Sequence, residues 1–384
     1  MKKAGLLLLC GAFAFCACQK DPVPSKDTTL DGQSVDVSSI STSAQKLFVL
    51  NEGGMGSNNS TLDFLRFEDG KYITSAFKKM NPDIGAGLGD VGNDIAIHGN
   101  EAWIVVNNSG IVEVISAEDE VEIAAIAVPT PRNIAFDDTY AYVTSWAGAF
   151  VTYGADYSVA DSKNVKGQVY RINLSTKKVE GSVEVGYQPE GIACYKGKLY
   201  VANSGGIASQ LPPMYSYDNT VSIIDTQTFT VSQTVEVQVN LKNVYADGKG
   251  NIYVTTLGNY WDVHSGLYML IAAAPSTVLH IADYVSVSAI NGDTVYCIGT
   301  DSEYDWSGAA HVYEAWSVAH GVKKALSLTV SETTPYGLGV LDADTFFVGD
   351  AGDYFNPGTV SCYHKGTKLW SVTAGVCPGH FATY

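Results

Sequence analysis

The chain has 384 residues, a formal net charge of −17 and a pI near 4.7. So acidic a chain has no basic footprint for a phosphate backbone, which excludes nucleic acid as a partner. Of its seven cysteines, Cys194, Cys297, Cys362 and Cys377 lie beyond the leader. Their spacing matches no zinc pattern, and they read as small buried apolar residues, with one disulfide open to them in an oxidising compartment.

Residues 1–17 form a secretory signal: two lysines, then an apolar core from Leu6 to Phe15, too short to cross a bilayer. The sequence FCAC at its end resembles a bacterial lipobox, in which Cys18 is lipidated and becomes the mature N-terminus. Cys16 fits less well because bulky Phe15 precedes it, and Phe15 itself departs from the leucine usual at a lipobox start. The tripeptide QKD at 19–21 resembles the lysine–acid signal of Gram-negative lipoproteins sent to the outer face of the outer membrane. These resemblances imply a cell-surface lipoprotein held in the outer membrane by a lipid anchor. The stretch 18–45, lipidated Cys18 included, is rich in Ser, Thr, Asp and Pro and reads as a flexible tether.

From residue 46 onward one pattern recurs. Strands centred on an aromatic (Phe48, Trp103, Tyr142, Tyr200, Tyr253, Tyr296 and Phe347) mostly follow short turns rich in Asn, Asp and Gly, as tight hairpins require. A short apolar run precedes each turn, and a loop and two further strands follow each aromatic strand. Four strands per unit, repeated at roughly 40–58 residues, predict an all-β, seven-bladed β-propeller over 46–384. The first unit lacks an inner strand, and the terminal CPGHFATY matches that missing pattern, so the C-terminal strand is expected to close the ring and remove its open edges.

Blade four is similar to the YVTN-repeat propellers. Pro189, Gly191, Tyr200, Val201, Asn203, Val221, Ile224, Asp225 and Thr226 occupy the positions that repeat uses, and the likeness extends, with degenerate blades, over nearly all of 46–384. It implies the propeller fold and leaves function to sites grafted on the ring.

Strand direction puts the loop after each second strand, and the link into each inner strand, on one face. Loops there are long and carry Trp146, Phe150, Tyr153, Tyr157, Tyr215, Tyr217, Tyr260, Trp261, Tyr304, Trp306, Tyr354 and Phe355, with Asp156, Asp218, Asp262, Asp305 and Asp353 among them. Tyr and Trp give large contact area with few rotors, the composition of a binding face. The alternative is that the rings pack on one another to order the loops, which should hold for roughly a third of them. The links into the inner strands place Asp94, Arg132, Asn133, Glu190, Asn243, Tyr336 and His380 at the mouth of the central channel. No nucleophile elbow, zinc motif or phosphate loop occurs, so no catalytic residue, metal or cofactor is expected.

Lipobox, surface signal, degenerate blades and an aromatic face together resemble the lipoprotein propellers with which gut bacteria capture cobalamin. The resemblance implies a corrinoid bound on the loop face and passed to a TonB-dependent outer-membrane transporter. Two alternatives come from other classes. A calcium-dependent lactonase would hold its metal through oxygen ligands at the channel mouth. A cell-surface scaffold would bind glycan or protein instead.

Overall fold

The computed structural model describes residues 30–147, 165–205, 207–208, 215–260, 262–300 and 312–384, and for 207–208 and 215–216 the backbone alone. Seven antiparallel sheets form a closed propeller. Their inner strands, from blade one to blade seven, are Pro378–Thr383, Gly92–His98, Pro131–Phe136, Pro189–Tyr195, Leu241–Ala246, Val285–Asn291 and Pro335–Val340. Blade one is closed as expected: Pro378–Thr383 pairs with the second strand Lys46–Asn51, setting Phe48 opposite Ala382 and Leu50 opposite His380.

The recurring aromatic explains how the blades adhere. Each second strand has a blade on either side, so both its faces are covered. Phe48, Trp103, Tyr142, Tyr200, Tyr253, Tyr296 and Phe347 are all buried. Each belongs to a different apolar cluster, one between each neighbouring pair of blades. Burying one such ring stabilises by about 3 kcal/mol relative to exposure. Hairpins on the face opposite the long loops are tight. In Lys196–Gly197 both residues have positive φ (45° and 75°), the type I′ geometry that matches strand twist. The four cysteines past the leader are free, with Cys297 and Cys362 in the interblade clusters.

One expectation needs correction. Residues 30–45, read as part of a flexible tether, lie on the ring. Gln33 and Ser34 pair with Lys71 and Tyr72 as a fifth strand of blade one. The Gln33 amide also exchanges two hydrogen bonds with the backbone of Thr373 in blade seven, at 2.8 and 3.1 Å. Trp370 Nε1 donates to Asp36 O at 3.0 Å, and Val35, Val37 and Ile40 join the cluster between blades seven and one. The segment is therefore a strap across the seam where the ring closes. Being antiparallel to Lys71–Ile73, it begins on the long-loop side, and its Leu30 packs against the apolar cluster between blades one and two. Deleting residues 30–40 is expected to lower unfolding free energy by about 3 kcal/mol, roughly 1 for each half-buried aliphatic side chain lost. An unchanged urea midpoint would mean the strap rests on the ring without supporting it.

Candidate functional site

The inner strands enter the channel from the loop face, and their first residues meet at its mouth. Asp94, Asn133, Asn243, Tyr336 and His380 line a channel cavity of about 460 Å³, as expected. Asp94 Oδ2 accepts from Ile134 N at 2.9 Å and Asn133 Nδ2 at 3.3 Å, and Oδ1 from Ile95 N at 2.8 Å. Tyr336 donates its hydroxyl to Glu52 Oε2 and meets Tyr354 edge to face, with centroids 5.8 Å apart.

Arg132 and Glu190 sit differently. They are buried and paired: Arg132 Nε and Nη2 reach the Glu190 carboxylate at 3.0–3.2 Å. The guanidinium lies 4.4 Å from the centroid of the Trp146 ring. A buried pair of this kind neutralises itself, and removing one partner leaves the other's charge stranded. These three residues tie blade three to blade four rather than presenting free charge to the channel. Lys242, which sequence reasoning passed over, stands 3.8 Å from Glu190 and lines the cavity with Ser286 and Ser288. The two serines were passed over as well, although period-two alternation along YVSVSAI, applied to the mouth register, would have pointed to them.

Burial splits the loop aromatics. Phe355 is 85% exposed, Tyr260 67% and Tyr354 50%; Trp146 and Tyr217 are half-buried. Among the described residues, every exposed aromatic lies on the loop face, as does exposed Met55. Phe150, Tyr153, Tyr157, Trp261, Tyr304 and Trp306 lie outside the described residues, as does Cys18, and of Tyr215 the backbone alone is described.

Asp156 and Asp305 lie outside the described residues, and the other loop acids hold their loops in shape. Asp353 Oδ1 accepts from Phe355 N at 3.0 Å and Asn356 N at 2.8 Å, bonds that hold its carboxyl below the usual range and fix the turn presenting Phe355. Asp218 caps Tyr187 N and Thr220 N at 3.2 and 3.0 Å. Asn259 Oδ1 accepts from Asp262 N and Val263 N, closing the turn that carries Tyr260. Tyr260 and Tyr354 have φ of 60° and 68°, a left-handed conformation that strains a non-glycine residue.

Among the described residues no three His, Cys, Asp or Glu side chains are grouped to hold a metal. Of the mouth carboxylates, Glu190 is engaged by Arg132, leaving Asp94 facing the cavity. Burial pushes Asp94 up to about 6, while burial and the nearby Lys242 and Arg132 push His380 down to about 3. The folded state thus takes up the His380 proton less readily than the unfolded chain does. His380 contributes stability that is complete above pH 6.5 and is lost as pH falls through about 3. Asp94 works with the opposite sign between about 4 and 6. His380→Gln is therefore expected to flatten the fall in stability between pH 6.5 and 3, read from urea midpoints. Equal slopes in parent and variant would refute the assignment.

Neither the family models nor the curated protein sequences compared with this chain match it. Among solved structures, the hydrazine synthase of Kuenenia stuttgartiensis is similar, with a TM-score of 0.57 and 13% identity over 75% of this chain and 88% of that one. At that identity the likeness is one of fold, a β-propeller, and carries no activity across.

Proposed function

We propose that the protein is a cell-surface receptor that binds a corrinoid on its loop face and passes it to a TonB-dependent outer-membrane transporter, held at the membrane through lipidated Cys18. The observation that carries this reading is the confinement of exposed aromatics, among the described residues, to the face around the channel mouth. A corrin presents broad apolar faces and amide-bearing arms. Rigid rings around a polar mouth suit both parts. A second observation agrees with it. Leu30 lies on the loop-face side of the strap, twelve residues from Cys18 (30 − 18). That length spans at most about 40 Å, so an anchor at Cys18 keeps the loop face close to the bilayer. The lactonase reading gains less support, because one mouth carboxylate is tied into an ion pair.

The test is thermal unfolding of the purified protein with cobalamin, and with a glycan panel for comparison. A ligand at a hundred times its Kd adds about 2.7 kcal/mol of stability. A rise in melting temperature with cobalamin is the expected result. No rise with cobalamin and a rise with a glycan returns the protein to the scaffold class, and calcium-dependent lactone hydrolysis would make it an enzyme.

A further inference from the structure

The channel is lopsided. Around most of the ring, inner strands of neighbouring blades lie against each other, and glycines allow it. A Cβ on Gly191 would stand 2.5 Å from Val244 N, and one on Gly337 2.4 Å from Gly379 O. Blades five and six break the pattern, since Leu241–Ala246 and Val285–Asn291 do not pack together in this way. Side chains bridge the gap instead: Tyr245 donates its hydroxyl to Ser288 O at 2.8 Å, and Asn243 Nδ2 to Ser288 Oγ at 3.3 Å. The cavity reaches into this gap as far as Leu257 and Ile290.

The walls keep hydrogen-bonding capacity in reserve. Asn133 and Asn243 each donate one NH2 hydrogen within the protein, and among the described residues no donor reaches the Oδ1 of either. His380 lines the same cavity without a hydrogen bond to any described residue. Its imidazole is uncharged at neutral pH, so one ring nitrogen donates and the other accepts.

Charge is nearly balanced at the mouth. Asp94 is satisfied by two backbone N–H groups and Asn133, Arg132 and Glu190 neutralise each other, and Lys242 stands at the rim. Asp94 and Lys242 line the same cavity with opposite charges, so an ion of either sign is attracted by one and repelled by the other, and neither sign is favoured. Either loses hydration without a dedicated partner, which costs several kcal/mol. A neutral group that both donates and accepts pays no such penalty, and a primary carboxamide has this character. Its NH2 can donate to an amide Oδ1 such as those of Asn133 and Asn243, and its oxygen can accept from an imidazole N–H.

We propose that the channel mouth is a subsite for a neutral carboxamide arm, which donates to Asn133 and Asn243, accepts from His380, and reaches in from a ligand held on the loop-face aromatics. It rests on the receptor reading for the rest of that ligand, whereas the amide chemistry of the cavity stands apart from it.

Two measurements separate the claims. In the first, the His380 ring signal is followed by NMR in full-length protein labelled at histidine and assigned with His380→Gln. Propionamide, propionate, propylammonium and cobalamin are added in turn. A shift with propionamide or cobalamin, and none with propionate or propylammonium, is expected. No shift with either amide, or equal shifts with all four, overturns the subsite. In the second, corrinoid affinity is compared for the parent, His380→Phe and Asn243→Ser, and a fall of at least tenfold is expected in both variants. If the parent binds corrinoid and both variants match it, the subsite falls and the receptor reading survives. If the parent binds no corrinoid while propionamide shifts His380, the receptor reading falls and the subsite survives.

Discussion

Deletion of Cys377–Tyr384 is expected to unfold the ring instead of trimming a tail. Pro378–Thr383 supplies the whole inner strand of blade one. Five register pairs join it to Lys46–Asn51, from Leu47–Thr383 to Asn51–Pro378. Flanking bonds extend the ladder: Tyr384 O accepts from Gln45 N and Lys46 N, and Cys377 O from Glu52 N. The strand also lies between the inner strands of blades two and seven, and Phe381 covers the space in front of Gly339. Its loss strips a row of buried backbone groups of partners at about 1–3 kcal/mol each. It also opens an edge along Leu47, Phe48, Val49 and Leu50, all buried in the intact ring. Several such terms together exceed the 5–15 kcal/mol that holds a domain folded. Far-UV circular dichroism and urea unfolding give the check. A truncated protein with the parent's midpoint would show that the ring does not depend on this strand.

The same strand shows why so much of the fold was legible. Each second strand is covered on both sides, so its aromatic has to recur, and seven recurrences with one missing inner strand leave little choice of topology. The strap was not legible, because its partners are far off in sequence. Gln33 finds Thr373 across 340 residues, and three aliphatic side chains in a polar stretch look like linker composition. At the mouth, strand register placed Asp94, Asn133, Asn243, Tyr336 and His380 around the cavity. It could not tell that Arg132 and Glu190 would consume each other's charge, since that depends on the approach of two blades. Loop aromatics were the hardest to sort. Trp146 and Phe355 belong to the same residue class on the same face, yet one lies against a guanidinium and the other stands open to solvent. Composition reports that rings are present, while their burial follows from turns that local side chains such as Asp353 set.

Those differences in burial make the loop face separable from the core by mutation. Phe355→Ala and Tyr260→Ala remove rings that stand mostly in solvent, so unfolding free energy should change by less than about 1 kcal/mol. Tyr253→Ala, in the second strand of blade five, empties a fully buried site between blades five and six. It should destabilise by about 3–5 kcal/mol, as for other core aromatics. Affinity for cobalamin is expected to respond in the reverse order. A contact ring in a pre-formed turn pays little ordering entropy on binding, and its removal should weaken binding by about 2 kcal/mol or more, roughly thirtyfold. Both turns are pre-formed here, one by Asp353 on the backbone of Phe355 and Asn356, the other by Asn259 on that of Asp262 and Val263. Tyr253→Ala, assayed where it is still folded, should bind like the parent because its ring faces a neighbouring blade and not the ligand. Calorimetric titration with cobalamin, set beside urea unfolding of the same samples, reads both quantities. If Phe355→Ala and Tyr260→Ala both leave cobalamin affinity at the parent's value, these exposed rings are surface without a ligand, and the corrinoid-receptor reading fails with them.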